Sequence, residues 1–560
     1  MIPGTNILEQ NFSRYACNIY LDGNVLPSYY QIISVQVKHG FQFISSARIL
    51  IKMDVGFYEP QIPDPFAKKP LSGEQISIKA NLDGNEILLF NGYIVKHNYK
   101  NTTAGTRLQI TAKSKIVNMS MTIKTEVFAN QTDKEIIDTI AGNNGFSVNT
   151  TTNVTNQLAG RHTQMVKHEV SDWDYINMRA EANGCFVYVD TETDTIVIDK
   201  PTLELNPLNI IKATYGSNVY EFQLEQDERK NQIDNELISF DLSTLESVVA
   251  EDEEIGFGIT ESKIKGKHSG INYRTFNELE AAQLVGATNQ LKSVSTVNGV
   301  VHIHANLNIK PGATLEVEGY NDVVNDSYII TSVMHDYSES GFSTYLQFGL
   351  NHQSFASKYQ LAHGSRTSPV ILSGIVTQLE QDPDNLYRIL VNIPAWKNAQ
   401  ESVWARISTM YAGDGYGMVV LPEIGDEVIV SFFGNDFDSP IVLGSAFNPA
   451  TPPHTNHTDD NFEKVFITKK GMKWSWDDDK GIHEISTPAG NKILISEDSQ
   501  SIIIEDQNQN KIEMKSDAIN IESNTAINMK ANGSIKLEAV NIELNGSAIS
   551  EIKGGLVKIN

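Results

Sequence analysis

His302 and His304 stand two residues apart in the segment GVVHIHANL, so on an extended chain both imidazoles project from one face and could share a metal. Spacing supplies no third ligand, and two ordinary barrel histidines are the plainer expectation. The segment GDGYG at residues 413–417 has the glycine density of a phosphate loop. It lies in β-like text without a strand-to-helix passage, so a turn is expected there. The acidic runs EDEE at 251–254 and DDD at 477–479 could attract a cation, yet neither has the alternating spacing of a calcium loop, and both read as solvated loops. HExxH and G-x-S-x-G sequences are absent. The cysteines, Cys17 and Cys185, are too few for a metal cluster or an oxidised scaffold; they read as buried thiols, although their spacing leaves a disulfide open. The chemistry-bearing residues therefore predict no catalytic, cofactor or metal site, and a protein that is not an enzyme.

The elements that would carry these residues belong to several domains, because 560 residues exceed what one hydrophobic core usually organises. With 40% hydrophobic and 20% charged residues the composition is globular, and no apolar run is long enough to span a bilayer. The N-terminus lacks a basic segment followed by a long apolar stretch, so synthesis in the cytoplasm is expected. A net charge of −25 opposes a basic footprint and makes nucleic acid a poor partner.

From residue 15 to about 115 short alternating runs broken by Asp-Gly-Asn turns predict hairpins in a β-barrel or meander. Two helices follow. Thr132 and Glu135 have capping-box spacing ahead of Ile136, Ile137 and Ile140; Ser171 opens and Gly184 closes the second. Strand text returns after Cys185, is interrupted by a helix near 275–292, and fits a second barrel built from split segments. HGSRTSP at 363–369 and NPATPPHTNHTDDN at 448–461 read as linkers around some eighty residues of short strands, the size of an OB-like barrel.

Near the end, Ile519 and Ile521, Ile527 and Met529, and Ile535 and Leu537 form apolar couplets eight residues apart, and Ile542 with Leu544 arrives one residue early. Alternation within each couplet is the period of a strand with one buried face. So short a strand cannot cover that face itself; stacked neighbours or other chains must supply the core. A single-chain parallel β-helix, a hairpin array and an adhesin stalk are alternatives. Repeat length favours an intertwined triple-stranded prism in which three copies of each couplet meet on the axis.

Residues 374–449 closely resemble the OB module of VgrG and phage baseplate spike proteins. The matching features are Trp404, Arg406, Pro422, Gly425, Asp426, Glu427, Val430, Phe432, Asp438, Pro440 and Gly444. Upstream, SDWDYINMRAEANGCFVYVD and VEGYNDVVNDSYIITSVMHDYSESGFSTYLQFGL resemble the hub portion of the same proteins, in wording nearest to spikes of extracellular contractile injection systems of the antifeeding-prophage and virulence-cassette type.

The resemblance implies a mainly β chain: a first hub barrel over 1–115, an α/β insertion over 116–204, a second hub barrel with a helical segment over 205–365, an OB-fold over 366–450, a linker over 451–462 and a triple-stranded β-helix needle over 463–560. It further implies a homotrimer at a baseplate centre that adapts a six-fold tube to a three-fold needle and punctures a target-cell membrane. Inner tube and baseplate proteins would be partners, within a particle released from the cell. The couplets Ile519, Ile521, Ile527, Met529, Ile535, Leu537, Ile542 and Leu544 would form the trimer core. Leu556, Val557 and Ile559 would dock a PAAR-like tip protein. A type VI secretion VgrG and a cell-wall hydrolase on a spike scaffold are the rival functions.

Overall fold

The computed structural model describes residues 15–559 except 28–29, 54–70, 83–84, 103–104, 204–209, 228–232, 243, 252–265, 272–277, 323, 351–368 and 397–401. The second Asp-Gly-Asn turn, most of EDEE and the HGSRTSP linker fall largely outside the described residues. The chain divides into two compact units, Met1–Ala446 and Phe447–Asn560.

In the first unit, strands Tyr15–Leu21, Tyr30–Gly40, Ser46–Met53, Gln75–Leu82, Asn85–Thr102 and Gly105–Ser114 pair antiparallel with their neighbours. Period-two alternation turns Val35 and Val37, Ile49 and Ile51, Ile76 and Ile78, and Leu108 and Ile110 into one core. The Asp22-Gly23 turn has φ of 47° and 82°, as a two-residue hairpin with the twist of its strands requires. A second core, with Val301, Ile303, Leu315, Ile330, Val333 and Phe348, is wrapped by Ile210–Thr214, Val219–Gln226, Val297–His304, Thr314–Glu318, Ser327–Ser338 and Gly341–Phe348.

Where the sequence predicts two hub barrels, strands around the two cores belong to one sheet. Tyr30–Gly40 is long enough to pair with Ser46–Met53 on one side and with Ser327–Ser338 on the other, in register from Ser332 opposite Gly40 to Ser338 opposite Ser34. A 13-stranded sheet therefore runs through both cores.

Between the barrels in sequence, helix Asp133–Asn143 starts at a complete Thr132/Glu135 capping box and buries Ile136, Ile137 and Ile140. Helix Asp172–Ala182 starts at Ser171, whose hydroxyl accepts from the Asp174 N–H, and stops before Gly184 at φ 69°. Burial would raise the Asp133 carboxyl, but Arg179 beside it at 2.6 Å, with His162, holds it well below the usual range. Fully buried Lys167 bonds Glu126 at 3.0 Å and also Asp172. The helix expected near 275–292 is Glu278–Ser293, beside the small sheet of Ile233–Phe240, Ser247–Glu251 and Gly266–Ile271.

Strands Ile371–Gln378, Ile389–Asn392, Ser402–Ile407, Pro440–Ser445 and Glu427–Phe432 close into a five-stranded barrel around Val376, Val391, Val403, Val428, Val430 and Val442. In the second unit, strands Glu463–Ile467, Lys473–Asp477, Ile482–Ser486, Lys492–Ser496, Ser501–Glu505, Lys511–Met514 and Ile519–Glu522 form an antiparallel meander. Residues 523–559 are assigned to no strand within the chain. No helix among the described residues is long and apolar enough to cross a membrane.

Candidate functional site

The second unit carries an assembly surface written by strand register. Pairing sets Phe466, Trp474, Ile485, Ile493, Ile504, Ile512 and Ile521 opposite one another in a continuous row across the meander. Two positions along each strand, a second row runs through Trp476, His483, Ile495, Ile502, Met514 and Ile519 on the same face. This face is open: Ile485, Ile493, Ile495, Ile502 and Ile504 are each 40–44% exposed. A groove of about 620 Å³ runs along it, lined by Ile485, Ile493, Ile504, Ile512, Ile521 and Ile527.

The structure thus brings Ile519, Ile521 and Ile527 of the expected core onto a face that begins far upstream of the repeat. All eight couplet residues, Met529, Ile535, Leu537, Ile542 and Leu544 included, are 52–69% exposed in the single chain. Full burial of such a side chain is worth about 1.5–3 kcal/mol, and here more than half of each is left uncovered by its own chain. Leu556, Val557 and Ile559 are likewise exposed. At the start of the face Trp474 donates Nε1–H to His483 Nε2 at 2.6 Å, and His483 stacks on Trp476.

Sequence reasoning missed a second element, the joint between the OB barrel and the α/β layer. Gln164, on strand Arg161–Ser171, donates to the carbonyls of Trp404 (3.2 Å) and Asp438 (3.1 Å) and accepts the Trp404 N–H at 2.6 Å. The Val166 N–H donates to the Asp438 carboxylate at 2.5 Å, Thr163 bonds Asp384, and Val127 and Val166 enter the OB core. Two of the motif positions, Trp404 and Asp438, are therefore held by the hub. The partners of Gln164 lie more than two hundred residues away, so no local spacing could have pointed to it.

The remaining candidates find structural partners. The Tyr220 ring packs 4.9 Å from His302 and 4.5 Å from His304, its hydroxyl bonds His304 Nδ1 at 2.7 Å, and His302 stacks on Tyr345. Burial lowers the His302 pKa. GDGYG forms a hairpin in which Ala412 pairs with Gly417. In the acidic run at 477–479, Asp477 pairs with Lys480 at 3.0 Å and Asp478 with Lys464. Cys17 and Cys185 are free and buried, and burial pushes both thiols up to about 12.

A double hub sheet, a five-stranded barrel clamped to the hub's α/β layer and a meander with an unpartnered apolar face define a VgrG-like hub and spike. The chain belongs to the family defined by the Alg8 N-terminal domain, whose model matches residues 12–339. Residues 372–447 match the type VI secretion system/phage-baseplate injector OB domain. Over 140 residues the chain is 32% identical to the type VI secretion system spike protein VgrG3 of Vibrio cholerae, a match covering 22% of this chain and 13% of that one. Over 59 residues it is 46% identical to the actin cross-linking toxin VgrG1 of V. cholerae, covering 10% and 5%. The chain thus spans only a small part of these relatives. The same fold occurs in the lidded Francisella PdpA–VgrG complex (11% identity, TM-score 0.57, 89% of this chain and 81% of that one) and in the lidless one (10%, 0.56, 88% and 98%).

Proposed function

We propose that this chain is a structural, non-enzymatic, homotrimeric hub and membrane-puncturing spike at the baseplate centre of a contractile injection particle. The observation that carries the reading is the pair of apolar rows on the meander, continued by the couplets. A face of this length left open on one chain is a liability for solubility, and burying it against two identical faces satisfies every copy equally. On this reading the hub halves of three chains make a six-part ring that meets the inner tube protein and the baseplate. Residues 463–560 wind as a three-fold needle on the order of 50 Å long, at about 4.7 Å per strand. Leu556, Val557 and Ile559 then receive a PAAR-like tip protein. The particle is assembled in the cytoplasm and released.

Sedimentation of the full chain at micromolar concentration is the first test: a complex of three chains is expected, and a stable folded monomer overturns the proposal. Three copies per isolated particle, at the baseplate centre, identify the role. Tip docking is tested by capturing a PAAR-like protein with the full chain and with a form ending at Glu551; equal capture by both removes the assignment to Leu556, Val557 and Ile559.

The matches to type VI secretion spike proteins favour one second reading, a VgrG acting from inside the producing cell. A membrane-anchoring complex encoded beside this gene supports that reading, and its absence supports the free particle.

A further inference from the structure

Between strands Ser402–Ile407 and Glu427–Phe432 the OB barrel extends an ordered apolar arm. Its shape is its own: Gly413 pairs with Tyr416, the Met418 N–H donates to the Tyr411 carbonyl at 2.8 Å, and the Thr409 hydroxyl donates to the Met418 carbonyl at 2.8 Å. Gly417 has φ 140°, and an added Cβ would fall 2.6 Å from the Tyr411 carbonyl oxygen, so the hairpin closes only with glycine there. This arm exposes Met410 and Val419 (85% each), Tyr411, Tyr416, Val420 and Ile424. Asp414, Glu423 and Asp426 are its only charged residues. Pre-ordered and largely apolar, it has the exposed residues of an interface core and loses little freedom on being covered.

We infer that the arm is a contact between copies of this chain, the arm of each packing against the arms of two others around a shared axis. This inference rests on the trimer proposed above and adds a second place where the chains hold one another. Strand register supplies the argument for the occupant. Ser402–Ile407 runs parallel to Pro440–Ser445, and Val428 pairs with Ser445. The arm therefore leaves and re-enters the barrel at the end where the chain exits towards its repeat. Gathering three repeats on one axis draws three exits together, and the arms with them. The surroundings disfavour an anionic lipid surface, because residues 407–463 contain no lysine or arginine and nine acidic residues.

The test uses the full chain with Val419→Cys, alone and combined with Met410→Cys, treated with a bismaleimide. Cys17 and Cys185 are buried, so the unmodified chain is the blank. Linked pairs from the single variant and linked triples from the double variant are expected, with nothing larger. If the single variant sediments as three chains yet stays unlinked and reacts freely with a polymer-bearing maleimide, the arm faces outward and the inference is overturned while the trimer stands. Products beyond three chains also overturn it, since arms would then join separate assemblies. A variant and an unmodified chain that both sediment as monomers overturn the trimer itself.

Discussion

Acidification should loosen the hub through two histidines buried beside the seam between its halves. His39 lies on Tyr30–Gly40 and His335 on Ser327–Ser338, the paired strands that join the two cores of the sheet. His39 hydrogen-bonds Ser45 Oγ and the Leu89 carbonyl, both at 3.0 Å, and His335 Nδ1 meets Thr344 Oγ1 at 3.3 Å. Both line a cavity of about 40 Å³ with Asp190, Glu192 and Lys310 at its wall. Burial lowers His39 to about 4, with the Leu89 carbonyl and Asp190 opposing and Lys310 assisting. Burial, and then the neighbouring His39, lowers His335 to about 3.

The sign follows from proton counting. An unfolded histidine takes up its proton near pH 6.5, whereas these two in the folded chain do so only below about 4 and 3, so the unfolded state gains protons first. Stability is fully present above about 6.5 and falls as the pH drops towards the folded values. At pH 5 each site has given up about 2 kcal/mol, and the pair about 4 kcal/mol per chain, a large fraction of ordinary domain stability. The assay is urea unfolding at pH 7.5 and pH 5.0 for the unmodified chain and for the His39→Gln/His335→Gln double variant. The variant should start less stable, since its packing is altered, but its loss between the two pH values should shrink to under about 1 kcal/mol. Equal losses in both proteins would refute the reasoning, because the pH dependence would then arise elsewhere.

Replacing Ile527 by Asp should lower the melting temperature of the assembled protein sharply, since three carboxylates brought together out of water cost several kcal/mol, roughly, in desolvation and repulsion; an unchanged melting temperature would show that Ile527 faces no shared core. Gln164→Ala should cost about 2 kcal/mol by stranding the Trp404 N–H and two carbonyls at the hub–OB joint, and limited proteolysis should release the OB segment sooner. Lys167→Met should cost about 3 kcal/mol in urea unfolding at neutral pH, because Glu126 and Asp172 would then share only Lys124 as a cation.

Local rules act over a few residues, and what they govern could be read from the sequence. The capping box at Thr132 and Glu135, the helix opened at Ser171, the Asp22-Gly23 hairpin and the two-residue alternation of the couplets each depend on neighbours within four positions. The OB barrel was legible for another reason: its motif residues are contiguous enough to be recognised as a group. Tertiary structure alone decided how the parts meet. The seam that joins the two cores in one sheet pairs residue 34 with residue 338, and the OB clamp joins Gln164 to Trp404 and Asp438. Pairings over such distances in sequence leave no local period.

The apolar face shows the division within one element. Sequence supplied the strands with alternating isoleucines, but only the register of five successive hairpins lines Trp474, Ile485, Ile493, Ile504, Ile512 and Ile521 into a single row, since a slip of one residue at any turn would send the next strand's isoleucines to the opposite face. The same holds for His39 and His335. As letters they are two unremarkable polar residues nearly three hundred positions apart, and it is the sheet that buries them together, away from the water that would let them charge.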